Sequence, residues 1–246
     1  MTTAYGSRPV LVLARDAPEA DWEPWATALR PAGAEERAER PAPPGDGALW
    51  LHRTGRRAAF SRRDTLAPGY PAAAAACERH GFAPFVRPVG GRMAPYHADT
   101  LVIDLAAPDP LARNGTKERF AIMADAITDG LRGLGLDARI GEVPDEYCPG
   151  DYSVHAMSDR GARKLAGVAQ RVNKWGSVVS AMVVVADPDP LRAVAVDAYA
   201  ALDQPLDPAS VGAVSDDRPD VTWSQVADAV LDQLRSRIPM LRDATG

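Results

Sequence analysis

Apolar positions recur in two distinct rhythms along the chain. Phe120, Met123, Ile127, Leu131 and Leu134 keep the spacing of one helix face, and Gly133 and Gly135 mark where that helix stops. Trp223, Val226, Val230, Leu234 and Ile238 form a second stripe, with Thr222 and Gln225 as a capping box at its start. Asp187-Pro-Asp-Pro190 opens a helix running through Leu202. Pro71 to His80 reads as an alanine-rich helix with Gly81 past its end. Asp21 is placed to cap a helix carrying Trp22, Trp25, Ala26 and Leu29.

Between these lie short apolar runs that predict strands: Val10–Ala14, Ala48–His52, Ala58–Ser61, Pro84–Arg87, Thr100–Leu105 and Ala138–Ile140. Tyr152–Met157, Ala162–Leu165 and Ser177–Val185 predict an antiparallel meander with a turn near residues 158–161. Strands and helices are mixed without regular alternation, so the fold class is α+β, a mixed, largely antiparallel sheet flanked by helices. One domain is expected over residues 1–246, with 1–47 an N-terminal extension and helix and 48–246 the core. The 246 residues suit one sizeable domain.

Composition narrows the function classes. A net charge of −5 argues against nucleic-acid binding by overall basicity. No run of about 18 apolar residues predicts a membrane span, and the N-terminus lacks a secretory pattern. Two cysteines, Cys77 and Cys148, make no disulfide framework, so a reduced, cytoplasmic protein is expected. His52, His80 and His155 share no metal-ligand spacing with the cysteines, and no metal site is expected. Arg53, Arg56, Arg57, Arg62 and Arg63 form a basic cluster, either a solvated face or a surface for an acidic partner.

Two stretches carry candidate chemistry. Glu146-Tyr-Cys148-Pro-Gly-Asp-Tyr holds a cysteine, and Lys164-Leu-Ala-Gly167-Val-Ala169-Gln170-Arg171 a lysine followed by small residues. A thiolate can take an acyl group as a thioester and pass it on, and a nearby cation favours the thiolate. Gly167 and Ala169 would let a substrate lie close to backbone. The alternative for Cys148 is an inert buried residue, and for Lys164 a surface charge. A hairpin turning near 158–161 sets Lys164 opposite about residue 155. Cys148 then lies about 23 Å further along, at about 3.3 Å per residue, unless Pro149-Gly150 bends the chain back. The second stretch, Arg87-Pro-Val-Gly90-Gly91-Arg92, can form a tight loop of backbone and guanidinium donors, with His97 as a base or ligand-orienting group. The plain alternatives are a strand-end turn and a structural histidine.

Cys148-Pro-Gly-Asp-Tyr followed by Lys164-x-x-Gly167-x-Ala169-Gln170 resembles the biotin/lipoate protein ligase and octanoyltransferase superfamily. The Tyr-Cys-Pro-Gly start is most similar to its cysteine-dependent branch, which moves an octanoyl group from the glycine cleavage H protein to other lipoyl domains. The Gly90-Gly91-Arg92 stretch resembles the superfamily's acyl pocket. Val86 stands where a first Arg is common, and Met93-Ala94-Pro95 replaces a small and β-branched run.

The resemblance implies a class II ligase-like catalytic domain with no accessory C-terminal domain. Cys148 would be the nucleophile and Lys164 its catalytic partner. Arg87, Gly90, Gly91, Arg92, His97, Gly167 and Ala169 would bind substrate. The implied partners are an octanoyl or lipoyl donor and lipoyl carrier domains, namely H protein and the E2 subunits of 2-oxoacid dehydrogenases. Transfer would need no cofactor. The alternative, an ATP-dependent lipoate–protein ligase, would use ATP and Mg, with Lys164 on the acyl-adenylate. From another class, a non-catalytic acyl-carrier or cofactor-binding protein is the remaining reading.

Overall fold

The computed structural model describes residues 10–17, 47–108, 112–158, 161–173 and 176–243. The helix expected after Asp21 lies outside the described residues. In chain order the strands are β1 (Val10–Ala17), β2 (Gly47–His52), β3 (Arg57–Phe60), β4 (Ala83–Val86), β5 (Ala94–Tyr96) and β6 (Thr100–Pro108). They continue with β7 (Ala138–Ile140), β8 (Val154–Ser158), β9 (Gly161–Val172), β10 (Gly176–Val184) and β11 (Leu241–Asp243). The described α-helices are α1 (Tyr70–Arg79), α2 (Thr116–Gly133), α3 (Pro188–Ala201) and α4 (Trp223–Arg237).

Eight strands form one sheet in the order β11-β1-β2-β6-β10-β9-β8-β7, and β4-β3-β5 form a small second sheet. Pairing is antiparallel except for β1 with β2 and β11, and β3 with β4. The segment expected as an extension thus gives β1 to the main sheet. β9 runs to Val172, well past the predicted Leu165. β5 and β11 carry too few alternating positions to be visible in sequence.

β10, Gly-Ser-Val-Val-Ser-Ala-Met-Val-Val, is buried at every position, as befits a central strand covered on both faces. On one face α2 and α4 pack Met123, Ile127, Leu131, Val230 and Leu234 against Leu49, Ile103, Leu105, Val179 and Val183. On the other, the small sheet with α1 and α3 packs Phe60, Ala73, Tyr96, Val194 and Tyr199 against Val102, Met182 and Val184. The functional residues lie on this second side.

The α4 capping box is present: the Gln225 amide donates to Thr222 Oγ1 at 3.3 Å and the Thr222 amide to Gln225 Oε1 at 2.8 Å. Thr222→Ala is expected to cost about 1 kcal/mol, read as a lower urea midpoint with an unchanged slope.

Candidate active site

β9 is not regular. His155 pairs with Lys164 and Val154 with Ala166, so one step on β8 matches two on β9. The extra residue is Leu165. It joins Ala166 in the core under α2 and α4, and the bulge turns Lys164 onto the opposite face with Gly167. A Cβ on Gly167 would stand 3.4 Å from Lys164 Cε. Strict alternation would have left the amine in the apolar core.

The Lys164 side chain is fully buried. Its Nζ donates to the carbonyls of Tyr147 and Cys148, each at 2.8 Å, and lies 3.3 Å from Glu146 Oε1. Three oxygens thus face an ammonium with three N–H bonds to give. The Tyr147 ring lies beside it, 4.8 Å from Nζ to the centroid. Glu146 Oε1 also accepts from Ser153 Oγ and the Gly150 amide. The loop before β8 therefore folds back on Lys164 as Pro149-Gly150 requires, and the hairpin register matches the sequence expectation.

Cys148 is half-buried and has φ +45°, a left-handed conformation uncommon for a residue with a side chain. Its amide donates to the Tyr199 hydroxyl at 2.6 Å, and that hydroxyl donates to the Met93 carbonyl at 2.8 Å. The sulfur accepts from the Arg92 amide at 3.2 Å and from Arg87 Nη2 at 3.4 Å. Burial is the largest single influence on the thiol and pushes its pKa up. The Arg87 guanidinium, the Lys164 ammonium and the Arg92 amide together outweigh it, so the thiol ionises below its ordinary value.

Arg87 is itself buried and also holds the Tyr96 hydroxyl and the Arg92 carbonyl. Gly91, at φ +102°, lets this loop close: a Cβ there would meet Arg87 Nη2 at 2.6 Å and the Cys148 sulfur at 2.7 Å. Gly90 faces open space.

Arg87, Tyr96, Cys148, Lys164, Gly167 and Ala169 line one narrow pocket of about 320 Å³, counting its open mouth. Ala94, Val168, Ser180 and Met182 complete much of its wall. Arg92 meets the site through its backbone; its guanidinium points to buried Asp64 at 3.4 Å. His97 stands apart. Its Nε2 donates to the Asp187 carbonyl at 2.8 Å and its Nδ1 accepts from the Asp99 amide at 3.2 Å, so both ring nitrogens serve the fold. In the basic cluster, Arg53, Arg56 and Arg57 lie over the rings of Trp223, Phe82 and Phe85, while Arg62 and Arg63 are exposed.

Sequence reasoning missed Glu146, Tyr96, Tyr147 and Tyr199. Tyr199 carries a signal, since it falls on the stripe Leu191, Val194, Ala195, Ala198, Tyr199 and a buried hydroxyl must find a partner.

The profile of the lipoyl protein ligase A/B catalytic domain matches residues 71–235. The chain belongs to that family. Members attach lipoyl or octanoyl groups to proteins, so the protein is an enzyme of this kind, an acyltransferase or a ligase. No curated protein matches the sequence. Among solved structures, a lipoate-protein ligase A bound with ATP superposes with a TM-score of 0.66 at 20% identity, over 97% of this chain and 89% of that one. Protein Ta0514 of T. acidophilum with bound lipoic acid gives 0.66 at 19%, over 98% and 89%. A bipartite lipoate protein ligase of Thermoplasma acidophilum, studied with its E2 lipoyl domain, gives 0.63 at 19%, over 97% and 86%. At these identities the likeness is one of fold, that of a lipoyl ligase A/B catalytic domain. Among the described residues no helix is long and apolar enough to cross a membrane.

Thiol reactivity gives a direct check. Iodoacetamide alkylation of Cys148 should rise with pH through an inflection below the ordinary thiol value of about 8.5. A folded pKa below the unfolded one adds stability that is full above the unfolded value and lost as pH falls through the folded one. Arg87→Met removes the largest favourable influence and leaves burial dominant, so the inflection should move upward. Buried Cys77, whose pKa is pushed up to about 11, chiefly by burial, should stay unlabelled in the folded protein.

Proposed function

We propose that the protein is a cysteine-dependent acyltransferase that places octanoyl or lipoyl groups on the lysine of a lipoyl carrier domain. What supports this reading is the sulfur of Cys148, held at the pocket by a buried guanidinium and a backbone amide.

The thiolate attacks the acyl carbonyl of the donor. A carbon–sulfur bond forms, the bond to the donor's leaving group breaks, and the leaving group takes up a proton. Acylation removes the sulfur's charge, so the Arg92 amide and Arg87 can turn to the carbonyl oxygen as it gains charge. The carrier's lysine amine then attacks the thioester, loses a proton and returns the thiolate. Lys164 acts as a fixed positive charge that holds the loop carrying Cys148; its three N–H bonds are directed to its own chain. His97, with both nitrogens engaged, orders the β5–β6 turn. By analogy with the E2 lipoyl domain of the Thermoplasma system, the acceptor is an E2 or H-protein carrier.

The test is exposure to an octanoylated carrier without ATP. A hydroxylamine-labile mass gain on Cys148, followed by loading of an apo carrier, is the expected result. The second reading, an ATP-dependent ligase, draws on the ATP-bound relative. There Lys164 would have to release one of its oxygens to meet a phosphate, with Mg beside the nucleotide. Loading from lipoate and ATP that survives Cys148→Ser would establish that reading and remove the thioester route.

A further inference from the structure

The sheet face that carries the pocket does not continue as an apolar wall. Ala169 pairs with Ser180 and Ser180 with Asp104, across β9, β10 and β6. Side chains of such partners stand side by side on one face. Gly167, Met182 and Val102 form the neighbouring row. Ser180 lines the pocket, and Asp104 stands directly behind it at 8% exposure.

Asp104 is only half satisfied. Its Oδ2 meets His52 Nε2 at 3.0 Å, while its Oδ1 is buried with no partner. His52 cannot turn to serve Oδ1, because its Nδ1 is engaged with the Arg53 carbonyl at 3.1 Å. A buried carboxylate oxygen without a donor is a costly feature that calls for a reason. From Gly167, beside the Lys164 ammonium, Asp104 lies two residues along and two strands across. That is about 12 Å, at about 3.3 Å per residue and about 4.8 Å per strand, the reach of an extended medium-length acyl chain.

We propose that Ser180 and Asp104 form the far end of the acyl pocket and select chains bearing a hydrogen-bond donor, such as a hydroxyl or thiol, at their distal end over plain alkyl chains. This rests on the transfer reading and names its substrate class. A plain alkyl end would leave the buried Asp104 Oδ1 unpaired, and sites built around a substrate donor reject analogues that lack it.

The probes are the N-acetylcysteamine thioesters of octanoic and 8-hydroxyoctanoic acid, offered separately to the full chain, with the acyl adduct on Cys148 followed by intact mass. The hydroxylated chain is expected to win by about tenfold or more in kcat/KM. Ser180→Ala, a change of one oxygen, should shrink that ratio severalfold, and Asp104→Leu should turn it in favour of octanoyl. Equal or faster reaction of octanoyl in the unmodified protein overturns the inference while leaving transfer intact. No adduct from either thioester, with Cys148 still open to iodoacetamide, removes transfer and this inference together.

Discussion

Cys148→Ser is expected to lower acyl transfer by about three orders of magnitude or more, and to abolish the covalent adduct. The surroundings of the sulfur explain the size of the loss. Arg87, Lys164 and the Arg92 amide offset the cost of burying a charged sulfur. A thiol starts only a few pH units from neutrality, whereas a serine hydroxyl ionises far higher, so the same donors leave it protonated. No histidine is within hydrogen-bonding distance of Cys148 to act as base; its sulfur contacts are Arg87 and the Arg92 amide. Serine can still accept from that amide, so the fold should persist and denaturant midpoints should change little. A comparable rate for the serine variant, measured as carrier loading under ATP-free conditions, would show that the thiol does not carry the acyl group.

The second large effect concerns stability. Lys164→Met should cost about 3–5 kcal/mol, because it strands Glu146 as an uncompensated buried charge and leaves two carbonyls without their donor. For a chain of this size that corresponds to a melting point lower by roughly 6–20 °C. Glu146→Gln in the same chain removes the stranded charge and should recover a substantial part of the loss. If Lys164→Met alone melts within a degree or two of the unmodified protein, the buried pair does not hold the loop as described. Thermal unfolding followed by circular dichroism distinguishes these outcomes.

Much of the fold is readable from spacing alone. The stripes of α2 and α4 and the Thr222–Gln225 cap stand as the sequence predicts, and so does the pairing of Lys164 with His155. These features depend on local periodicity and turn chemistry, which a single chain displays openly. The site is legible only in part. Cys148, Lys164, Arg87, Gly91, Gly167 and Ala169 do converge on one pocket. Arg92, however, contributes its amide rather than its guanidinium, because Asp64, 28 residues earlier, takes the side chain. Nothing in the local sequence announces that pairing. Met93-Ala94-Pro95 reads as a departure from the family's pattern, yet Met93 leads into β5 and Ala94-Pro95 opens it. There Ala94 lines the pocket and the Met93 carbonyl anchors Tyr199. Glu146 was visible two residues before Cys148, but only the folded-back loop makes it the counterion of Lys164.

The extra residue in β9 has an implication for how such chains vary. Deleting Leu165 would keep the hydrogen-bonded ladder intact and even make it more regular. The lysine would stay on the pocket side, because Lys164 and Gly167 would then flank Ala166 as in an ordinary alternating strand. Inverting the amine takes a different change: smoothing out the kink with Leu165 still in place would turn it into the oily layer beneath the two long helices and leave Glu146 with no cation. A descendant one residue shorter at this point would therefore lose one buried leucine and keep its ion pair.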